Sequence, residues 1–294
     1  MSDGCPTAAT GSIAIVLFDI SHTTVYSYDQ PIFFEPHTFR LRPRADFVLK
    51  PLDFNLVVEP APAGLSHALD LEGNVVTHAW FSGVSDTLTI KAISKIESSA
   101  RNPFDFIVIE PAAERLPLRY SAAAPSLAPY LARPAGEVDR WAESVAQSAA
   151  GETLAFLTAL CQAIRDRSRY TVREEGEARR AEETLKSQEG SCRDLAVLFI
   201  DACRAQGIAA RFVSGYHDSR VHMKKRYMHA WAEVYLPGGG WRGFDPTLGM
   251  AVAEEHIPVA AAADPKDAAP VTGTFRGAGV GHKLAASISI SRSA

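Results

Sequence analysis

Apolar and polar positions alternate through much of the first 120 residues. "SIAIVLFDI" and "HTTVYSYDQ" each carry the two-residue period of a strand, with a short polar break between them. "HTFRLRPR" alternates as well, and "FNLVVEP" places Phe54, Leu56 and Val58 on one face. "DLEGN" is a turn signal, and "TLTIKAISKI" puts Leu88, Ile90 and Ala92 on one side. Short strands joined by turn residues predict an antiparallel β-sandwich-like domain over residues 1–122. His22, His37, His67 and His78 are scattered through it and are expected to be structural or exposed.

From about residue 125 the period lengthens to that of a helix. "SLAPYLARPAGEVDRWAESVAQSA" and "GETLAFLTALCQAIRDR" both carry it. In the second, Leu154, Leu157, Cys161 and Ile164 form an apolar stripe, which makes Cys161 a buried core thiol. "TVREEGEARRAEETLKSQ" reads as a solvated connection with a short helix. "SCRDLAVLFIDACRAQG" predicts a helix with Ser191 as N-cap, Asp194 closing a capping box and Gly207 just past its end. Its core-facing stripe is Leu195, Leu198, Phe199, Ala202 and Cys203. Three strands follow, "ARFVSGYH", "HAWAEVYL" and "WRGFD", the last two joined by the hairpin turn "LPGGGW". The expected α+β core spans 123–250. The tail 251–294 ends in "HKLAASISIS", an alternating strand that could return to the N-terminal sheet.

A net charge of −4, with 22% charged residues, gives no reason to expect a nucleic-acid partner or an anionic membrane surface. No apolar run approaches the roughly 20 residues that span a bilayer. The first residues have no Lys or Arg ahead of their apolar part, so the cytoplasm is the expected compartment. The four cysteines are Cys5, Cys161, Cys192 and Cys203. Cys5 lies in a polar leader. Cys192 and Cys203 stand on one predicted helix, roughly 16 Å apart at the helical rise, too far for a disulfide. No CxxC pair exists, so all four read as free thiols.

Cys192 differs from the rest. It occupies the first turn of its helix, where unpaired backbone N–H groups and the positive end of the helix dipole favour a thiolate. The same N–H groups suit an oxyanion formed when sulfur attacks a carbonyl. A cysteine nucleophile also needs a base and a group that orients the base. His229 heads "HAWAEVYL", on the face shared by Trp231, Glu233 and Tyr235, expected to be polar and partly open. Asp245 ends "WRGFD" before Pro246. The hairpin makes these strands neighbours, so Asp245 is expected on a direct cross-strand contact with His229.

"EGSCRDLAVLFIDACRAQGIAARFVSGY" followed by "HAWAEVYLPGGGWRGFDPTLG" resembles the bacterial transglutaminase-like superfamily, a branch of the papain-like cysteine enzymes. Its three parts are a Gly-x-Cys-x-Asp helix start, a His-Ala-Trp-x-Glu-Val strand and a Trp-x-x-x-Asp-Pro-Thr strand end. "HTTVYSYDQPIFFEPHTFRLRPR" and "NPFDFIV" resemble the β-rich N-terminal domain that precedes such cores, and "HIPVAAAADPKDAAPVTGTFRG" resembles the tail that follows. The resemblance implies a papain-like transglutaminase core with Cys192 as nucleophile, His229 as general base and acid, and Asp245 as orienting carboxylate. It implies acyl transfer from an amide through a thioester, without a cofactor. Water as acceptor makes a peptidase or amidase acting on a peptide or protein. An amine makes a crosslinking transferase. A non-catalytic peptide-binding scaffold is the rival from another class.

Other residues carry two readings each. Gln188 is either an oxyanion donor or a solvated loop residue, and Gly190 leaves room for a substrate backbone. Trp231 and Trp241 either wall a substrate groove or pack in the core. Lys224, Lys225 and Arg226 form a basic loop before His229, either steering acidic substrates or merely solvated. His217, His222 and His229 with Cys192 could be drawn as a zinc site, but they lack a tight ligand pair, so no metal is expected.

Overall fold

The computed structural model describes residues 15–99, 102–121, 125–133, 135–218 and 226–293. Cys5, His222, Lys224 and Lys225 lie outside them, as does the expected domain boundary at 122/123.

The β-rich first part is built on β1 (Ile15–Phe34), β2 (His37–Phe39), β3 (Leu49–Glu59), β4 (Gly64–Leu69), β5 (Val75–Trp80) and β6 (Ser85–Ser99). β1 is one 20-residue strand, not the two expected. The polar stretch around His22 continues the alternation because its inward side chains satisfy one another. Thr24 Oγ1 lies 3.0 Å from His22 Nε2, and His22 Nδ1 lies 3.1 Å from the Tyr216 hydroxyl. Burial pulls the His22 pKa down to about 4, so the imidazole is neutral there.

The core begins with α1 (Ala128–Leu131), α2 (Glu137–Ser148), α3 (Thr153–Arg167) and β7 (Arg169–Tyr170). It continues with α4 (Ala181–Ser187), β8 (Glu189–Gly190), α5 (Cys192–Ala205), β9 (Ala210–His217), β10 (His229–Leu236), β11 (Gly240–Asp245) and β12 (Met250–Ala251). The last strands are β13 (His256–Ala262), β14 (Val271–Thr272), β15 (Phe275–Arg276) and β16 (His282–Ser293).

The segment beyond 250 is shared out. β13 joins the core sheet in the order β12-β11-β10-β9-β13, while β14 extends β14-β2-β5-β4 and β15 and β16 both pair β1. β16 runs antiparallel along β1 from Leu17↔Ser293 to Tyr28↔His282, the return expected from its pattern. This is an α+β fold, mostly antiparallel sheet with few helices.

α5 packs on the core sheet with Leu195, Leu198, Phe199, Ala202 and Cys203 all within 2% of full burial. Each large apolar side chain so buried stabilises the fold by about 1.5–3 kcal/mol. They meet Ala230, Ala232, Val234 and Leu236, which alternate down one face of β10. β1 and β6 dock on the far edge of this sheet, where Phe18, Ile20 and Ile96 pack with Tyr216, Ile257 and Val259. Asn74 secures the same junction: its carboxamide accepts from Ala261 N–H at 2.8 Å and donates to Ala261 C=O at 2.9 Å.

Helix α5 stops at Gly207, whose φ is +74°. A Cβ there would come 2.3 Å from the Leu118 carbonyl oxygen. Gly207→Ala is therefore expected to destabilise the protein by about 1–3 kcal/mol, read as a lower urea midpoint at unchanged m-value.

Candidate active site

The loop before α5 is set by Asp194. Its Oδ2 accepts from Ser191 N–H at 2.8 Å and Ser191 Oγ–H at 2.9 Å, as the sequence led one to expect of a cap. It does more than cap. Its Oδ1 accepts from Arg179 N–H at 2.7 Å and from the Arg173 guanidinium at 3.2 Å, which ties the charged 173–180 connection to the helix start. Gly190 packs closely against this cap. A Cβ at 190 would lie 2.8 Å from Asp194 Cβ and 3.4 Å from Thr184 Cγ2.

Cys192 opens α5 and is 7% exposed. The structure brings it together with His229 and Asp245. His229 Nε2 lies 2.6 Å from Asp245 Oδ2, so Nδ1 is the ring nitrogen left for the sulfur, and Cys192 is near enough to help raise the ring's pKa. The strand register differs from the expected direct pairing. β10 and β11 run from Ala232↔Phe244 to Leu236↔Gly240. Carried one residue further, this puts Trp231 opposite Asp245 and makes His229 its diagonal neighbour, a reach still open to long side chains.

Burial opposes a charge on His229. The Asp245 charge and hydrogen bond, with the hydrogen bond to Cys192, outweigh it and raise the ring to about 10. Burial likewise opposes a charge on Asp245. There the imidazoles of His229 and His256 prevail and hold the carboxyl well below the usual carboxylate range.

Two residues near the site had no signal in the pattern. Tyr170 reaches Cys192 because β7 runs parallel to β8, Tyr170 opposite Gly190. Its pKa is pushed up to about 12, by burial first and then by the charge and hydrogen bond of Cys192. Only a two-residue strand places it there, too short to read from periodicity. His256 lies against Asp245 Oδ2 at 3.1 Å, delivered by β13 from beyond the motif.

The remaining expectations fall differently. Gln188 ends α4 in the left-handed region (φ 54°) with an exposed side chain, and its carbonyl accepts from Arg169 N–H at 2.8 Å. Tyr170 is a side chain near the thiol, through which Cys192 acts on its pKa. Trp231 is fully buried, so the His229 face is packed at this point and not open as expected. Trp241 sits at the opposite end of β11 from Asp245, 4.9 Å from the Tyr130 ring and under the Arg211 guanidinium at 4.1 Å. Both tryptophans border one cavity of about 240 Å³, together with Phe104, Arg242 and His256. Cys192 is not part of its lining. By strand alternation this cavity lies on the sheet face away from α5.

His217 packs 4.5 Å from His256 and 5.6 Å from His229. Burial, then the neighbouring imidazoles, pull it down to about 4. One atom each from His229, Asp245 and His256 lie within 4.8 Å of one another, the set among the described residues that could hold a metal ion. Hydrogen bonds already join them.

Comparison with known proteins bears on the two parts of the chain and on the fold. Residues 139–246 match the family described as the transglutaminase-like superfamily, and residues 18–97 match the bacterial transglutaminase-like N-terminal region. Uncharacterised proteins of Mycobacterium tuberculosis (strain H37Rv) and Mycobacterium leprae are similar over most of their length. The first is 28% identical, over 87% of this chain and 86% of its own. The second is 27% identical, over 88% and 93%. A Cytophaga hutchinsonii crystal structure called a "Putative Cysteine Protease" shares the fold, with a TM-score of 0.68 at 20% identity over 95% of this chain and 91% of that one. Among the described residues no helix is long and apolar enough to cross a membrane. Residues 139–246 therefore read as a transglutaminase-like core, and residues 18–97 as a bacterial transglutaminase-like N-terminal region.

Proposed function

We propose that this protein is a thiol-dependent acyl-transfer enzyme acting on peptide or amide bonds, a cysteine peptidase or amidase that uses Cys192, His229 and Asp245. The observation that carries the reading is the 2.6 Å contact between His229 Nε2 and Asp245 Oδ2, with the ring's other nitrogen left for Cys192 at the head of α5. The family and the fold support the general class of chemistry.

In this mechanism Cys192 Sγ attacks the carbonyl carbon of a bound amide. The carbon–oxygen π pair moves onto oxygen, facing the Cys192 N–H and the Tyr170 hydroxyl. When the carbonyl re-forms, the carbon–nitrogen bond breaks and the leaving nitrogen takes the proton from His229 Nδ1. A thioester remains. Water then attacks it, giving its proton to Nδ1, and the sulfur departs with the carboxylic acid released. An amine in place of water would give a new amide, the crosslinking outcome. Asp245 keeps Nε2 protonated throughout and so fixes which nitrogen faces the sulfur.

Iodoacetamide at pH 6–7 should alkylate Cys192 ahead of Cys161 and Cys203, both of which burial holds as thiols. His229→Ala should slow that labelling on the order of 100-fold. Equal labelling of Cys192 and Cys203, followed by peptide mass spectrometry, would remove the enzymatic reading.

The His229 ring should titrate near pH 10 by 15N NMR. In Asp245→Asn, burial is no longer opposed by that charge, and the midpoint should drop to or below the ordinary value near 6.5. The sign for stability follows. A raised histidine contributes fully below about 6.5 and loses its contribution as pH climbs through about 10. Thermal unfolding of the native protein against Asp245→Asn should therefore differ most at mildly acidic pH and converge toward pH 10.

Tyr170 separates oxyanion stabilisation from thiol reactivity, because alkylation develops no oxyanion. Tyr170→Phe should slow acylation by p-nitrophenyl acetate on the order of 100-fold while iodoacetamide labelling stays within about threefold. Equal losses in both assays would assign Tyr170 to holding the sulfur alone.

A further inference from the structure

Asp245 is fully buried, and as a carboxylate it can only accept hydrogen bonds. Its two oxygens are met by four N–H groups. Oδ1 accepts from Thr247 N–H at 2.8 Å and Leu248 N–H at 3.3 Å. Oδ2 accepts from His229 Nε2 at 2.6 Å and from His256 Nε2 at 3.1 Å. The two imidazoles therefore share one oxygen.

His256 is as firmly held as the carboxylate it meets. It is 2% exposed and begins β13, whose register sets it opposite His217. Its ring lies 4.5 Å from the His217 ring and edge-on to Trp231 at 5.2 Å. The rest of β13 is gripped by the N-terminal domain, through Ile257 and Val259 against Phe18 and through Asn74 on Ala261.

The tautomer follows from these contacts. Nε2 must carry a proton to donate to the carboxylate. Nδ1 is buried and has no hydrogen-bond partner among the described residues. An unpaired lone pair there is easier to accommodate than an orphaned N–H. The ring is therefore a fixed donor to Asp245.

Resting on the Cys–His–Asp reading above, we propose that His256 is a positioning residue. It holds the same Asp245 oxygen that His229 meets, so that the His229 ring stays aimed at Cys192. Without it, Oδ2 would lose its second donor in a site closed to water. A buried carboxylate left with fewer donors favours rotation or uptake of a proton, and either releases His229.

The test uses the full chain and two variants, His256→Leu, which removes the donor, and His256→Gln, whose amide N–H can replace Nε2–H. Iodoacetamide labelling of Cys192 at pH 6.5 should be on the order of 10-fold slower in His256→Leu. It should stay within about threefold of native in His256→Gln. The His229 midpoint by 15N NMR should fall in His256→Leu and recover in His256→Gln. In the native protein, the 15N spectrum of labelled histidines should show Nε2 of residue 256 protonated and Nδ1 bare, a readout independent of whether the leucine variant folds. The proposal is overturned if folded His256→Leu matches native in both labelling and the His229 midpoint. It is equally overturned if His256→Gln is as slow as His256→Leu, or if Nε2 proves unprotonated. Failure of His229→Ala to slow labelling would instead bring down the triad itself.

Discussion

A carboxylate removed from water is the constraint around which this site is organised. Asp245 has no exposed surface, and an ionised group so placed persists only where hydrogen bonds replace its hydration. Two come from the turn that follows β11 and two from imidazoles on separate strands. The charge so secured makes a protonated His229 favourable, although burial alone would drive the ring neutral. Everything proposed for Cys192 depends on that ring being held in one orientation.

The strands that deliver these donors reach the site by different routes. β10 and β11 are a local hairpin, so His229 and Asp245 meet through short-range topology. β13 arrives from the far side of β9 and is clamped by the N-terminal domain through an apolar seam and the Asn74 pair. The β-rich domain therefore has a physical link to the proposed site: it packs on the strand that carries His256. α5 contributes the sulfur, held at a height set by the Ser191–Asp194 cap and the stop at Gly207.

The helix start, the histidine strand and the strand-ending aspartate were legible because each is a local pattern, with cap, alternation and turn read within a few residues. The long-range contacts were not. His256 heads a strand whose partner, β9, lies some forty residues earlier, and nothing in "EEHIPVA" marks it as facing a carboxylate. Tyr170 belongs to a strand of two residues. The polar break around His22 looked like a strand end because the pattern cannot show that inward polar groups are paired, here His22 with Thr24 and Tyr216. In the sequence Gly190 reads as room for a substrate backbone, and Trp231 as either a groove wall or core. Packing gave each a neighbour, Asp194 for the glycine and His256 for the indole.

The account rests on Asp245 remaining ionised while fully buried. Carbon-13 NMR of protein labelled at the aspartate carboxyls, with the resonance assigned through Asp245→Asn, observes that charge directly. The account predicts an Asp245 signal fixed at the carboxylate position from neutral pH down past the ordinary aspartate midpoint near 3.9, for as long as the protein stays folded. A signal that titrates above that value, or that sits at the protonated position at neutral pH, would contradict it.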